Sequence, residues 1–381
     1  MSKTYLVLTP FFPSKRNFRG AYIYDQLVAI QNNSDFDIKV VLLNSLFNRE
    51  EKEKYNYQGI DCIPFCVWDL PSFLFPGLVH KINNWRFQSF LKANRIALSK
   101  KSIIHAHVTY PAGYLARDIS FLSGAKSVCQ HHGLDVYQLR TGRLAKGVVK
   151  VLQNKLLKRR SQKVLSQINI NVGVSQKVLD ELGRGINSQK IVLHNGVDVN
   201  KFYPLKQNRE NTKFIIGCIG NFWKIKDQIS LLKAALILKD KGVENIKIIF
   251  IGSGETLELC QKFAQEYQLD CEFRREVDHV QLNVFYNQLD LFVLPSYYEA
   301  FGCVYTEAWA ASVPFIAVHG QGIEEVMTEE MKRKQLVNKE DPQDIANKIF
   351  HFYNHSKKIY FNDYLSIENT IKNFLNNLSG D

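Results

Sequence analysis

No run of apolar residues in this 381-residue chain approaches the roughly 18 that a membrane-spanning helix needs. Cysteine is sparse and unpaired. The seven (Cys62, Cys66, Cys129, Cys218, Cys260, Cys271 and Cys303) are odd in number and include no CxxC pair. That argues against a disulfide framework and a zinc site, and buried reduced thiols are expected. There is no G-x-x-x-x-G-K-[ST] phosphate loop and no G-x-S-x-G nucleophile elbow. Zinc-finger spacing, an RNA-binding aromatic signature and a basic tail are missing too, so nucleic acid is not an expected partner. The opening residues, MSKTYLVLTPFFPSKR, have a short, β-rich apolar part broken by Pro10, with no small-residue cleavage site after it. They do not read as a signal peptide, and a cytoplasmic location is expected.

Acidic residues are absent from Val136 to Leu179, although the chain as a whole carries a net charge of +12. The same stretch holds Arg140, Arg143, Lys146, Lys150, Lys155, Lys158, Arg159, Arg160, Lys163 and Lys177, interleaved with Leu144, Val148, Val151, Leu156 and Leu157. This spacing suits an amphipathic helix with a basic face. Such a face either is simply solvated or meets anionic headgroups on the inner face of the membrane through residues 140–163.

Hydrophobic residues make up 45% of the chain, enough for a globular protein, and the length suggests two domains. Short Val/Ile/Leu-rich runs recur: YLVLTP, IKVVLLN, SIIHAH, KSVCQHHG and INVGVS, then FIIGCIG, IKIIFIG, LDLFVLP and VPFIAV. Stretches long enough for helices separate most of them. Continuous apolar strands alternating with helices predict parallel sheets buried on both faces. The polar, turn-rich segment 194–213 reads as a linker between two such α/β sets. The expected division is 1–197, 198–365 and a terminal helix over 366–381 that packs back on the first domain. Ligands of open parallel sheets sit at the carboxyl ends of strands, so the informative residues should follow strands directly.

One stretch does so with unusual chemistry. YYEAFGCVYTEAWAASVPF, residues 297–315, sets Glu299 and Glu307 among apolar and small residues. A helix is expected to begin near Phe301 and Gly302. Glu299 then lies on the loop at the strand tip, and Glu307 one and a half turns into the helix. The free amides of Phe301, Gly302 and Cys303, with the positive end of the helix dipole behind them, suit a diphosphate. Two flanking carboxylates suit sugar hydroxyls. The plainer alternative is that Glu299 caps the helix and Glu307 pairs with a basic neighbour.

DLFVLPSYYEAFGCVYTEAWAASVPFIAVHGQGIEEV resembles the E-x7-E region of the family-4 glycosyltransferases, which have the GT-B fold: two Rossmann-like, doubly wound parallel-sheet domains facing across a cleft. Other parts of the chain are similar in order and spacing. They are LTPFFPSKRNFRGAYIYDQLVAI, IIHAHVTYPAGYLA, QHHGLDVY, NVGVSQKVLDEL, IVLHNGVDVNKFYP, IGNFWKIKDQISLLKA and IFIGSGETLEL. The resemblance implies a retaining, metal-independent transferase with no cofactor beyond its nucleotide-sugar co-substrate, UDP- or GDP-linked. By that resemblance Glu299 contacts the donor sugar, Glu307 holds the ribose, and the amides of Phe301, Gly302 and Cys303 meet the diphosphate. Lys226 neutralises the leaving diphosphate, Val277 lies beside the base, His132 reaches the transferred sugar, and Gly20 lets the N-terminal loop close over the phosphates. Glu325 matches a family glutamate to which no role is given.

Three departures stand out. Asn221 replaces a usual arginine of the phosphate clamp, Arg19 replaces the first of two glycines, and Gln321 replaces the first glycine of a Gly-Gly pair. Asp35–Asp37, reading DFD, matches a metal motif of a different transferase fold but sits at the wrong strand end. His105 and His107 share one strand face. His131 and His132 point to opposite sides, so only one can face a sugar. The implied acceptor is a glycan or lipid-linked saccharide in capsule, exopolysaccharide or O-antigen assembly. A sugar-nucleotide epimerase or hydrolase on the same fold, or an inactive nucleotide-sugar binding protein, are the rival readings.

Overall fold

The computed structural model describes residues 3–15, 19–46, 51–68, 77–133, 148–183, 185–206, 213–277, 279–355 and 359–379. The chain forms two compact units, Met1–His194 with Thr370–Asp381, and Asn195–Asn369.

In the first unit the order begins β1 (Thr4–Thr9), α1 (Ala21–Asn32), β2 (Asp37–Ser45), β3 (Tyr55–Tyr57), β4 (Ile60–Val67) and α2 (His80–Ala93). It continues with β5 (Ile103–His107), α3 (Tyr114–Ser123), β6 (Lys126–His131), α4 (Val148–Leu165), β7 (Ile170–Gly173), α5 (Gln176–Glu181) and β8 (Gln189–Val192). The eight strands run β3-β4-β2-β1-β5-β6-β7-β8, all parallel except β3, which pairs antiparallel with β4. β1 is buried along its whole length because helices cover both faces of the sheet, and its register sets Val7 opposite Val40 and His105.

The second unit holds β9 (Phe214–Ile219), α6 (Gln228–Asp240), β10 (Ile246–Ile251), α7 (Leu257–Glu266), β11 (Cys271–Arg274), α8 (His279–Asn287) and β12 (Leu291–Val293). Then come α9 (Cys303–Ala310), β13 (Phe315–Val318), α10 (Glu329–Gln335), β14 (Leu336–Val337), α11 (Pro342–Asn354) and α12 (Ile367–Ser379). Its six strands are all parallel, in the order β11-β10-β9-β12-β13-β14. From Thr370 onward α12 counts with the first unit. There the Phe374 ring lies 5.8 Å from His105, and Lys126 Nζ donates to the Leu378 carbonyl at 2.9 Å.

Every apolar run read as a strand is one. Five further strands lie outside those runs, β3, β4, β8, β11 and β14. They are short or carry polar and half-exposed residues, so they lack a continuous apolar signal. In each sheet the strand order reverses beside the first strand of its unit, β1 or β9. Loops after those strands and their neighbours therefore open into a crevice at the carboxyl end.

Candidate functional site

In the second unit the loops after β9 and β12 meet. Lys226 closes a tight 3-10 turn, Lys224–Lys226, and Glu299 lies in the loop leaving β12. Their side chains form an ion pair that is largely shielded from water, 18% and 12% exposed. Two bonds zip the loops together: Tyr297 N–H and Ser296 Oγ both donate to the Ile225 carbonyl at 3.0 Å. The backbone of Glu299 is held separately, its amide donating to Gln321 Oε1 at 2.7 Å while Gln321 Nε2 donates to the His319 carbonyl. The departure at Gln321 thus supplies a side-chain acceptor where a glycine could supply none.

The next turn launches α9. Phe301 is 1% exposed, backbone included. Gly302 caps the helix in the left-handed region at φ 86°, and Cys303 is the first helical residue. The first-turn amides of a helix have no intrahelical acceptor. Burial, reinforced by the charge of Glu307, pushes the Cys303 thiol up to about 12, so no thiolate competes with an anion there. A Cβ on Gly302 would sit 2.6 Å from the Tyr305 ring, which is fixed by its hydroxyl donating to the Leu294 carbonyl at 2.7 Å. Gly302→Ala is therefore expected to cost about 1–3 kcal/mol, from the φ strain and the displaced ring. Urea unfolding measures this, and an unchanged midpoint would mean the turn is not held as described.

Glu307 is 8% exposed and accepts a hydrogen bond from the Tyr286 hydroxyl at 2.8 Å. The Tyr286 phenol is thus one partner of this carboxylate. Burial and the adjacent charge raise the Tyr286 pKa well above its ordinary value, which keeps the hydroxyl protonated as a donor. Asn221 is exposed in the loop after β9, where its carbonyl accepts from the Trp223 amide and from Gln228 Nε2. Val277 is half-buried in the loop after β11. Its neighbour Glu276 accepts from Ser253 Oγ at 3.0 Å, tying that loop to the one after β10. The structure therefore brings Lys226, Glu299 and the start of α9 together, with Glu307 deeper.

The first unit gathers histidines at the ends of β5 and β6. His107 Nδ1 and His132 Nε2 are 3.0 Å apart with the rings stacked at 5.3 Å, and His105 stacks on His107 at 4.5 Å. His131 points the other way, its Nε2 bonded to Asn171 Oδ1 at 3.1 Å. Of the adjacent pair, His131 is fully buried and His132 half-buried, against the rings of Phe11 and Tyr22. Burial holds His105 and His132 down at about 3 and His131 at about 4, and pushes His107 well below its usual range. Gly20 caps α1, where a Cβ would sit 2.8 Å from the Phe11 carbonyl oxygen, and the Arg19 guanidinium lies over the Phe11 ring.

Asp35 of the DFD sequence pairs with Lys3 at 2.9 Å. Arg140, Arg143 and Lys146 lie outside the described residues. On α4, Lys155, Lys158, Arg159 and Lys163 are exposed and Leu157, Val164 and Leu165 are buried, but Val151 and Leu156 are exposed too, so the apolar residues are not confined to one face as an amphipathic helix would have them. Among the described residues no helix is long and apolar enough to cross a membrane. Sequence reasoning missed Tyr286, the Gln321 acceptor and the contact of His107 with His132. Only Gln321 carried a signal, as a large polar residue where the resemblance leads one to expect glycine.

Comparison with known proteins bears on both units. Residues 23–201 match the family model "Glycosyltransferase Family 4" and residues 200–360 match "Glycosyl transferases group 1". The chain is 32% identical over 167 residues to the capsular polysaccharide biosynthesis glycosyltransferase CapM of Staphylococcus aureus, covering 43% of this chain and 42% of that one. It is 24% identical over 224 residues to the putative glycosyltransferase EpsF of Bacillus subtilis, covering 56% of each. The chain thus spans about half the length of the curated relatives it matches. Among solved structures, Anabaena HepE in complex with UDP and glucose superposes with a TM-score of 0.69 at 14% identity, over 99% of this chain and 100% of that one. At that identity the likeness shows the GT-B fold.

Proposed function

The chain belongs to the glycosyltransferases, with a family 4 first half and a group 1 second half, and on that footing we propose that it moves a hexose from a nucleotide-diphosphate sugar to an acceptor hydroxyl with retention of configuration. The observation that carries the reading is the shielded Lys226–Glu299 pair beside the start of α9, at the strand-order reversal of the second unit. The two partners separate when the donor arrives. Lys226 and the first-turn amides of α9 take the diphosphate, and Glu299 takes the sugar hydroxyls. As the sugar departs, charge grows on the diphosphate where these fixed donors already point. The departing phosphate oxygen takes the acceptor proton. Glu307 holds the ribose, Val277 lies beside the base, and His132 and Gly20 serve the sugar and phosphates from the first unit.

UDP with a hexose is the donor favoured by the ligands in the HepE structure, and GDP-linked sugars are the second choice. The acceptor fits a lipid-linked saccharide of surface-polysaccharide assembly, since CapM is named for capsule biosynthesis. Incubation with tritiated UDP-glucose, UDP-galactose and GDP-mannose, with a bacterial lipid extract as acceptor, tests this. Label passing to the lipid fraction supports it. Free sugar or a C2 epimer without acceptor would favour a hydrolase or epimerase, and binding without turnover an inactive protein.

Membrane attachment is supported by the acid-free outer face of α4. On α2, which also has no acidic residue, Trp85 is 69% exposed near Lys81 and Lys92. The protein is expected to sediment with phosphatidylglycerol vesicles and not with phosphatidylcholine ones. Replacing Lys155, Lys158, Arg159 and Lys163 by glutamate should abolish the difference. Equal partitioning of the unaltered protein contradicts attachment.

A further inference from the structure

We propose that the first unit carries a second binding site, at the end of its sheet opposite the crevice, which takes a phosphate-bearing anion between Lys100, Lys101 and Lys126. The site lies within the first unit and does not depend on the glycosyltransferase reading.

The crevice opens at the carboxyl ends of the strands, and this cavity lies at their amino ends. Lys3 precedes β1, Phe36 precedes β2, Lys100 and Lys101 precede β5, and Lys126 opens β6. These four strands are neighbours in the order β2-β1-β5-β6, which brings the residues side by side. The last turns of α12 close one side with Leu375, Asn376 and Leu378. The cavity measures about 410 Å³, within the range of small-molecule sites.

Among the described residues that line it, four are lysines and one, Asp35, is acidic. The ordinary task of lysines at such a place is to meet helix carbonyls and nearby carboxylates. Here that task is already filled. Lys3 Nζ pairs with Asp35 at 2.9 Å, and Lys126 Nζ donates to the Leu378 carbonyl of α12 at 2.9 Å. At the end of α1, the Ala29 and Ile30 carbonyls accept from Asn33 Nδ2 at 2.8 Å and from Ser34 Oγ at 2.6 Å. Lys100 and Lys101 are exposed, and neither ammonium has an ion-pair or hydrogen-bond partner among the described residues. The stem of Lys100 leans toward the turn that leads into Lys126: a Cβ on Gly124 would sit 3.1 Å from Lys100 Cγ. Like charges are thus gathered around one concave surface, which concentrates positive potential there.

The arrangement selects phosphate. Ammonium groups carried by separate strands meet a tetrahedral anion as point charges from several directions, whereas a planar carboxylate suits the paired donors of an arginine. Phe36, Ile103 and Leu375 add an apolar wall, so a phosphate ester with an organic body fits the cavity better than the bare ion.

Methyl correlation spectra of the full chain, with the Ile103 signal assigned by its loss in Ile103→Val, read the site directly. Ionic strength is held constant with sodium chloride, so that screening does not change during the titration. Inorganic phosphate should shift the Ile103 signal saturably with a midpoint of about 1–10 mM, and a phosphate ester should bind more tightly. Replacing both Lys100 and Lys101 by glutamine should weaken binding by about tenfold or more. Lys226→Ala, which alters the candidate site of the second unit, should leave it unchanged. Two esters separate the sources of this chemistry. Tighter binding of glycerol 3-phosphate identifies a soluble monoester as the ligand, and tighter binding of dihexanoylphosphatidylglycerol, kept below its micelle concentration, identifies a lipid headgroup. No saturable shift with any of the three probes, a shift that the double variant leaves intact, or one that Lys226→Ala abolishes, overturns the proposal.

Discussion

Lys226→Ala is expected to lower kcat for sugar transfer by about 10²–10³ while leaving the fold intact. The size follows from removing one preorganised charge from the point where a leaving diphosphate becomes more negative. Asn221, exposed and uncharged, stands where the resemblance gives an arginine, so it offers no second cation to share the load. The same substitution strands Glu299, which is 12% exposed and would lose its ion-pair partner. Its carboxylate then repels the incoming diphosphate, so KM should rise together with the fall in kcat. Glu299→Gln is expected to differ in kind. It frees Lys226 for the phosphate but weakens acceptance from the sugar hydroxyls, so it should discriminate less between donor sugars. Steady-state kinetics with the best donor decide the matter. A Lys226→Ala enzyme within threefold of the wild type would remove the lysine from the reaction.

Acid should destabilise the first unit steeply. His105, His107, His131 and His132 are all held neutral by burial, with His105 and His132 at about 3 and His131 at about 4. In the unfolded chain each titrates near the ordinary value of about 6.5. The sign follows from proton binding. Between about pH 6.5 and 4 the unfolded state takes up protons that the folded state refuses. The stabilisation is therefore complete above about pH 6.5 and is lost as the pH falls. Each histidine contributes a slope of at most about 1.4 kcal/mol per pH unit, and four together at most about 5.6 kcal/mol per pH unit. Urea titrations at pH 7 and pH 5, followed by fluorescence, should show a large fall in unfolding free energy. Equal stability at the two values would mean that the cluster is hydrated and protonated in the folded protein.

Much of the architecture was legible because burial leaves a plain mark. Thr4–Thr9, Phe214–Ile219 and Ile246–Ile251 are nearly continuous apolar runs, and only a strand covered on both faces has use for one. Tyr55–Tyr57 and Gln189–Val192 left no such mark, since half of what they present faces water. At the candidate site, the loop position of Glu299 and the start of the helix near Gly302 could be read from Gly302 and from the strand that precedes it. The pairing of Glu299 with Lys226 could not, because 73 residues separate them and only the sheet order makes them neighbours. The same holds for Tyr286 and Glu307, on adjacent helices. A buried carboxylate signals that some partner exists, but the strand order decides which one. Gln321 lay between these cases: its chemistry was visible, and its acceptor role needed the loop after β13 to fold against the one after β12.

The account turns on a diphosphate held by Lys226 and the first turn of α9. Isothermal titration of UDP, GDP and ADP into the full chain, and into Lys226→Ala, addresses it most directly. One of the three nucleotides should bind the wild type at micromolar to submillimolar concentration and at least tenfold more weakly to the variant, the loss of one charge-assisted contact. Binding of all three that is absent from the wild type, or equal in both proteins, would contradict it.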